Sequence, residues 1–499
     1  MYTAEVGDLI LGLLSSYHIL MLVFAFSIMS SYLLLGVISI RTMRSYLKKN
    51  SFVNYQVILH SDLAPHLSLI APAYNEALSI EENIQSLLSL NYNHYEVIVV
   101  NDGSKDKTLE LMIAAYELEA VDYEVQGSLA TKTVKQVYRS GNPSFKKLTV
   151  IDKVNGGKGD ALNVGINYSQ NPYVVCIDVD CILEKDALLK LAKPYLELSG
   201  RRVIATGGVV RIANSCISDG GRLIDIAAPD KLLPRIQVLE YLRAFLLGRM
   251  AWSRLNGLLL ISGAFGMFDK DIAIKAGGYN TKTVGEDMEL VVRMRRYMIE
   301  NRLPYSVFYI PDPICWTEAP ETVEVFKKQR SRWTRGTMET LWIHRKMFLN
   351  PRYKVLGLLS VPYWTFFEYL APILEVLGLF VTIYLITSGL ISWQLFSLIV
   401  LMVYVFAVMI SCLALLSEEF TYSQYSRVRD YRKLLIAALV EPFCFHPLTV
   451  YAALLGNWEK LRGKNSWGEM KRTGFKSSPV PKMSPTREQV VQESEAQSA

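Results

Sequence analysis

Three long apolar runs constrain this chain more than any other feature. Asp8–Ile40, Val355–Ile386 and Leu390–Leu416 are almost wholly apolar, and each exceeds the roughly 20 residues with which a helix crosses the hydrocarbon core of a bilayer. Between the first two, Leu67–Trp333 mixes charged and apolar residues as a water-soluble domain does. A chain of 499 residues, 51% of them hydrophobic, has room for one large globular domain with membrane helices beside it. The expected organisation is an N-terminal transmembrane anchor over 1–50, a soluble domain over 51–337, interfacial and transmembrane helices over 338–460, and a tail over 461–499. That tail is first basic and then, from Ser477, rich in Ser, Pro, Glu and Gln, a composition that predicts disorder.

The first run has neither a basic leader nor a short core ending in a small-residue cleavage site, so it reads as a retained anchor. Arg41, Arg44, Lys48 and Lys49 follow it directly. Basic flanks stay on the cytoplasmic side, which predicts an outer amino terminus and a cytoplasmic central domain in an integral membrane protein. The uncharged Thr387–Ser392 suits an outer loop and the basic Arg427–Lys433 an inner one. A fourth apolar run, Leu434–Trp458, is interrupted by Glu441, Pro442, His446 and Pro447 and precedes Lys460, Arg462, Lys464, Lys471 and Arg472. A true span there would leave the basic tail outside, against the charge rule, and a re-entrant or interfacial helix is equally compatible.

The net charge of +6 sits largely in these flanks, where it serves topology and contact with membrane lipids. No basic and aromatic nucleic-acid module is visible, so nucleic acid is not an expected partner. The six cysteines include no Cys-x-x-Cys pair, which in a reducing compartment argues against disulfides. His18, His60, His66, His94, His344 and His446 lack zinc-ligand spacing.

In the central region short apolar runs alternate with helical periodicities. Leu67–Ala73 predicts a strand running into Pro72-Ala73-Tyr74-Asn75-Glu76. Ser79 with Glu82 has the form of a capping box, after which Ile80, Ile84, Leu87 and Leu88 recur at helical spacing. Tyr95–Val100 predicts the next strand, stopped by Asn101-Asp102-Gly103-Ser104, with a helix from Thr108. Strand Leu148–Ile151, the glycine-rich Asn155-Gly156-Gly157-Lys158-Gly159, a helix through Ala161–Tyr168 and strand Tyr173–Ile177 continue the pattern, with the polar Val121–Lys147 read as a surface insertion. Alternating strands and helices predict an α/β fold with a mostly parallel sheet and flanking helices, inserted between transmembrane helices, its ligands beyond the carboxyl ends of the strands.

Asp102 and Asp178 stand at such ends. Asp178 and Asp180 leave an apolar strand as Cys-Ile-Asp-Val-Asp, placing two carboxylates on one side of an extended segment. A hard divalent cation that also binds diphosphate needs oxygen ligands of this kind. Asp102 in Asn-Asp-Gly-Ser is also a standard turn residue. Lys158 in Gly-Gly-Lys-Gly could approach a diphosphate, although the phosphate-loop spacing is absent. Ser262-Gly263-Ala264-Phe265-Gly266 follows an apolar run, and Gly285-Glu286-Asp287 opens a helix. An acidic pair there either compensates the helix dipole or supplies the general base that transfer to a hydroxyl requires. Gln329-Arg330-Ser331-Arg332-Trp333 reads as the start of a basic amphipathic helix at the membrane edge, an interfacial anchor, a functional site, or both.

Taken in order, Pro-Ala-Tyr-Asn-Glu, Asn-Asp-Gly-Ser, Asp-Val-Asp, Ser-Gly-Ala-Phe-Gly, Gly-Glu-Asp and Gln-Arg-Ser-Arg-Trp resemble the motifs of the processive membrane glycosyltransferases of family 2. These include cellulose, chitin, hyaluronan and poly-N-acetylglucosamine synthases, and the resemblance covers about Leu67–Trp333. It implies a GT-A-type domain and an inverting transfer from a UDP-sugar donor, N-acetylglucosamine by overall resemblance, to a polysaccharide or lipid acceptor, with Mg2+ or Mn2+ and possible coupling to export partner proteins. It also implies residue roles. Asp102 would bind the uridine part, Asp178 and Asp180 the diphosphate and the metal, and Lys158, Gln329 and Arg332 the donor. Asp287 would be the catalytic base, with Trp333 and Gly263 on the acceptor side. About one helix is expected before the domain, where several polymer synthases have two. A glycolipid synthase, or a non-catalytic transport or scaffold protein with a regulatory nucleotide-binding domain, are the alternatives the residues leave open.

Overall fold

Several strands of the central domain, such as Leu67–Ala73 and Tyr173–Ile177, are apolar almost end to end, as strands covered on both faces must be. In a computed structural model, which describes residues 2–463 apart from 124, 126, 198–199 and 220, together with 476–477, ten strands form one sheet. They are β1 (Leu67–Ala73), β2 (Tyr95–Asn101), β3 (Leu118–Val121), β4 (Val134–Ser140), β5 (Leu148–Lys153), β6 (Tyr173–Ile177), β7 (Ile182–Leu183), β8 (Arg202–Ile212), β11 (Phe265–Asp269) and β12 (Tyr305–Thr317), ordered β3-β4-β5-β2-β1-β6-β11-β8-β12-β7. Outside it, β9 (Ile217–Asp219) and β10 (Arg222–Asp225) pair as a hairpin.

β5, β2, β1 and β6 run parallel, as do β8 and β12, while β4, β11 and β7 run against their neighbours. This is the mixed, mostly parallel α/β sheet that the alternation predicts. The helices that position the site or flank it are α1 (Tyr2–Asn50), α2 (Ile80–Leu88), α3 (Lys158–Tyr168), α4 (Leu232–Leu242), α5 (Glu286–Glu300), α6 (Val323–Ile343), α7 (Ala371–Thr387), α8 (Trp393–Glu419) and α9 (Val428–Leu461).

Several local expectations change. Part of the polar Val121–Lys147 segment is strand β4, an edge-side strand with only Val137 fully buried, so its alternation carries little apolar signal. Helix α2 starts where the capping box places it, yet Ser79 makes no side-chain cap bond; its hydroxyl accepts from Asn83 Nδ2 at 3.1 Å. Helix α6 begins at Val323, well before Gln329.

Ile19–Asn50 of α1, α8 and α9 are long and apolar enough to cross a membrane, and Leu356–Tyr369 with α7 would add a fourth crossing if that pair, bent by 43°, is one span. The fourth apolar run is a single 34-residue helix with Pro442 and Pro447 inside it. Its polar interruptions are partnered, Glu441 by Arg243 at 2.7 Å and His446 by Glu375 at 2.8 Å, as polar groups among apolar helices must be. Lys464, Lys471 and Arg472 of the basic tail, and the expected disorder beyond Ser477, lie outside the described residues.

The sheet domain is fastened to these helices by buried polar contacts. Arg211 of β8 and Glu418 of α8 form an ion pair with both side chains buried, and Tyr46 of α1 donates to Asp312 of β12 at 2.6 Å. Removing one partner of a buried pair costs about 3–5 kcal/mol, whereas replacing both with apolar residues is often near neutral. Glu418→Leu alone should therefore lower the thermal midpoint of the detergent-solubilised protein much more than Arg211→Met combined with Glu418→Leu. Equal losses would show that the pairing is not what joins the two parts.

Candidate active site

β1, β2 and β5 end level, with Ala73 opposite Asn101 and Asn101 opposite Asp152, so the turns that follow open on one edge of the sheet. Asn75, at a φ of 58° that asparagine tolerates better than most residues, joins two of them. Its N–H donates to Ser104 Oγ at 3.0 Å and its Oδ1 accepts from the Lys105 N–H at 2.8 Å. Asp102 is buried. Its carboxylate accepts from Lys153 Nζ at 2.5 Å and from the N–H groups of Gly156 and Gly157, each at 2.8 Å. Lys153, itself fully buried, also reaches Asp160 at 2.7 Å. Asp102 thus shapes the glycine-rich loop, and Lys153 and Asp160 complete that cradle without any signal in the sequence pattern.

The loop ends by presenting Lys158 at the start of α3, where its ammonium pairs with Asp178 and donates to Gly263 O at 3.1 Å. Burial works against the charge on Lys158, but Asp178 and Glu286 outweigh it and hold its pKa above the ordinary value. Asp178 and the buried Asp180 follow β6. Because β11 runs antiparallel to β6, the segment before it returns to the same edge, and Ala264 O accepts from the Asp178 N–H at 3.1 Å. Gly263 donates its N–H to Asp287 Oδ2 at 3.0 Å, and a Cβ on Gly263 would lie 2.9 Å from that oxygen. A larger residue here would push the Asp287 carboxylate aside.

Asp287 sits in the first turn of α5, where its other oxygen accepts from the Met288 N–H at 2.8 Å. Its neighbour Glu286 is buried; burial first, and then the charge of Asp287, push its carboxyl up to about 7 against the opposing pull of Lys158 and Arg332.

Helix α6 forms another wall. Gln329 is buried, Arg332 half-buried, and Trp333 is 40% exposed. Arg330 lies 4.1 Å from the Trp333 ring centroid and is itself held by both oxygens of Glu240 at 2.6 and 2.7 Å. One face of the indole is therefore occupied by a fixed cation. The motif spacing points to Gln329, Arg332 and Trp333 but gives no hint of Arg330 or of Glu240, which comes from the distant α4.

Asp102, Lys158, Asp178, Asp180, Gly263, Asp287, Gln329, Arg332 and Trp333, spread over more than 200 residues of chain, all line one cavity of about 1580 Å³. Asp178 and Asp180 bring hard oxygen donors to it, while among the described residues no three His, Cys, Asp or Glu side chains are grouped to hold a metal ion. Two carboxylates fit a cation that keeps waters and shares a diphosphate, as Mg2+ does, better than an all-protein cage.

The family model described as "Glycosyl transferase family group 2" matches residues 173–410, and that of "Glycosyl transferase family 2" matches 68–122 and 127–215. Poly-beta-1,6-N-acetyl-D-glucosamine synthase of Staphylococcus epidermidis is 28% identical over 55% of this chain and 55% of its own. The protein of the same name from Staphylococcus aureus strain COL is 28% identical over 58% of each. The chain thus spans little more than half the length of these relatives. Mannosyltransferase PcManGT from Pyrobaculum calidifontis, solved with GDP-Man and Mn2+, aligns with a TM-score of 0.46 at 18% identity, over 84% of this chain and 99% of that one; a likeness so distant says nothing of substrate. The two family models together take in residues 68–122 and 127–410, and over that stretch the chain carries family 2 glycosyltransferase domains.

Proposed function

We propose that this protein transfers N-acetylglucosamine from a UDP donor, with inversion, to a growing polysaccharide, its catalytic domain on the cytoplasmic side and its product leaving along the apolar helices. The observation that carries the proposal is the convergence of Asp287, Arg332 and Trp333 on one cavity. Asp287 is the base: held by Gly263 and Met288, it takes the proton of the acceptor hydroxyl as that oxygen attacks the anomeric carbon. Gln329 and Arg332 hold the donor diphosphate, for which a guanidinium is the better-matched cation. Lys158 adds charge from the opposite wall. Asp178 and Asp180 would hold a divalent cation, whose chemistry is to neutralise the leaving diphosphate.

Size supports a polymeric acceptor. Small-molecule pockets measure roughly 300–1,000 Å³, and this cavity, at about 1580 Å³, continues past Trp333 to Trp364, Tyr369 and Pro372 beside the apolar helices. The same extension would suit a lipid acceptor, which makes a glycolipid synthase the second reading. The choice of sugar rests on the named relatives. Membranes supplied with each of several labelled UDP-sugars should yield a long product from UDP-N-acetylglucosamine, only with Mg2+ or Mn2+ present, and none in Asp287→Asn. A discrete lipid-sized product would favour the second reading, and turnover without metal would remove the cation from its role.

Trp333 separates an acceptor platform from a membrane anchor. A misplacement of about 1 Å can cost on the order of a hundredfold in rate. Trp333→Ala should therefore keep expression, membrane insertion and UDP binding near normal while losing most product formation, with donor affinity and product measured on one preparation. Unchanged product formation would return the indole to a purely structural place.

Glu286 gives a pH signature. Its ordinary value is 4.5 and its folded value about 7, so between these the folded protein binds a proton that the unfolded chain has released. Stability then falls as pH rises from about 4.5 to about 7. Glu286→Gln should flatten that fall, read as thermal midpoints of the donor-free protein; parallel slopes in variant and wild type would contradict it.

A further inference from the structure

Glu339 lies two helical turns beyond Arg332 on α6 and takes no part in the roles above. It is buried, and both of its oxygens are engaged. Oε2 accepts from Thr283 Oγ1 at 2.6 Å and from the Val284 N–H at 3.0 Å; Oε1 accepts from Lys460 Nζ at 2.5 Å. Thr283 Oγ1 in turn accepts from the Gly285 N–H at 3.1 Å, and Gly285 caps the helix whose first turn bears Asp287. A continuous chain of hydrogen bonds thus runs from the last turn of α9 to the cap of α5.

The backbone geometry agrees. A Cβ on Gly285 would lie 2.6 Å from Gly336 Cα, and one on Gly336 would lie 2.7 Å from Gly285 Cα, so α6 meets the Asp287 turn with no side chain between them. On its far side α6 meets α9 as closely: a Cβ on Gly456 would lie 2.6 Å from Ser331 O, and Ser331 Oγ donates to Glu459 at 2.5 Å. Burial opposes the charge on Glu339, but the bonds from Lys460, Thr283 and the Val284 N–H outweigh it and hold its pKa below the ordinary carboxylate value.

We propose that Glu339 and Lys460 are positioning residues for Asp287, fixing its turn against the diphosphate-binding helix and making the end of an apolar, membrane-type helix part of the active site. The inference rests on the reading of Asp287 as the base. Neither residue is among those lining the cavity, so their loss should be felt in turnover and not in donor binding.

The test uses the full chain in detergent or nanodiscs, with UDP-N-acetylglucosamine turnover and UDP affinity measured together for Glu339→Ala, Glu339→Gln, Lys460→Met and Asp287→Asn. Glu339→Ala and Lys460→Met should lower kcat by roughly 10- to 100-fold, the scale of a misplaced reacting group, with UDP affinity unchanged within about threefold, the split expected of groups that do not bind donor. Glu339→Gln keeps an acceptor for Thr283 and Val284 and should recover part of the loss. Should Glu339→Ala fail to accumulate, Lys460→Met decides alone, since that side chain is 30% exposed at a helix end. Wild-type kcat in Lys460→Met, or affinity falling in step with kcat, would overturn the proposal while an inactive Asp287→Asn leaves the base in place. An active Asp287→Asn would overturn the reading beneath it.

Discussion

A carboxylate leaves water only if charge and hydrogen bonds replace what it loses, and Asp102 satisfies that condition through Lys153 and two N–H groups of the glycine-rich loop. The rest of this side of the cavity follows from this one buried cluster. It fixes the loop after β5 against the turn after β2; the loop then fixes the start of α3, and with it the ammonium that meets Asp178. With parallel strands ending level, a single satisfied charge is enough to set several turns on one edge.

The sequence makes the strands of that edge easy to read, because strands covered on both faces are apolar without interruption. β1 and β6 have the boundaries expected of them. β4 does not stand out, since a strand near the sheet's edge with one fully buried side chain resembles a polar loop. The motif residues were legible because the chemistry proposed for them restricts their type: carboxylates to hold a metal or take a proton, a guanidinium to meet phosphate, an aromatic ring to stack on sugar. Lys153, Arg330 and Glu339 were not, because each acts through partners more than 50 residues away in at least one contact. Nothing local in a sequence records such a pairing.

The same contrast holds among the apolar helices. Glu441 and His446 look like interruptions when only their own helix is considered, and they become joints once Arg243 and Glu375 are seen opposite them. Polar residues in such helices are costly unless paired, so these pairs also limit how the helices can be arranged. They tie α9 to the segment after α4 and to α7, while Glu418 ties α8 to the sheet.

The packing of α6 between the Asp287 turn and α9 bears on how the catalytic domain can be handled as a separate object. A border drawn at residue 337 falls within α6, which continues to Ile343. A fragment cut there would lack Glu339 and His344, the partners of Thr283 and Glu289, and would expose Ser331 and Arg335 where Glu459 now meets them. Such a fragment could keep the sheet and the glycine-rich cradle, yet its surface would contain what is now an interior seam. The smallest piece of this chain that keeps that seam closed therefore reaches at least to Lys460, and the apolar helices, long enough to cross a bilayer, are also a structural component of the enzyme.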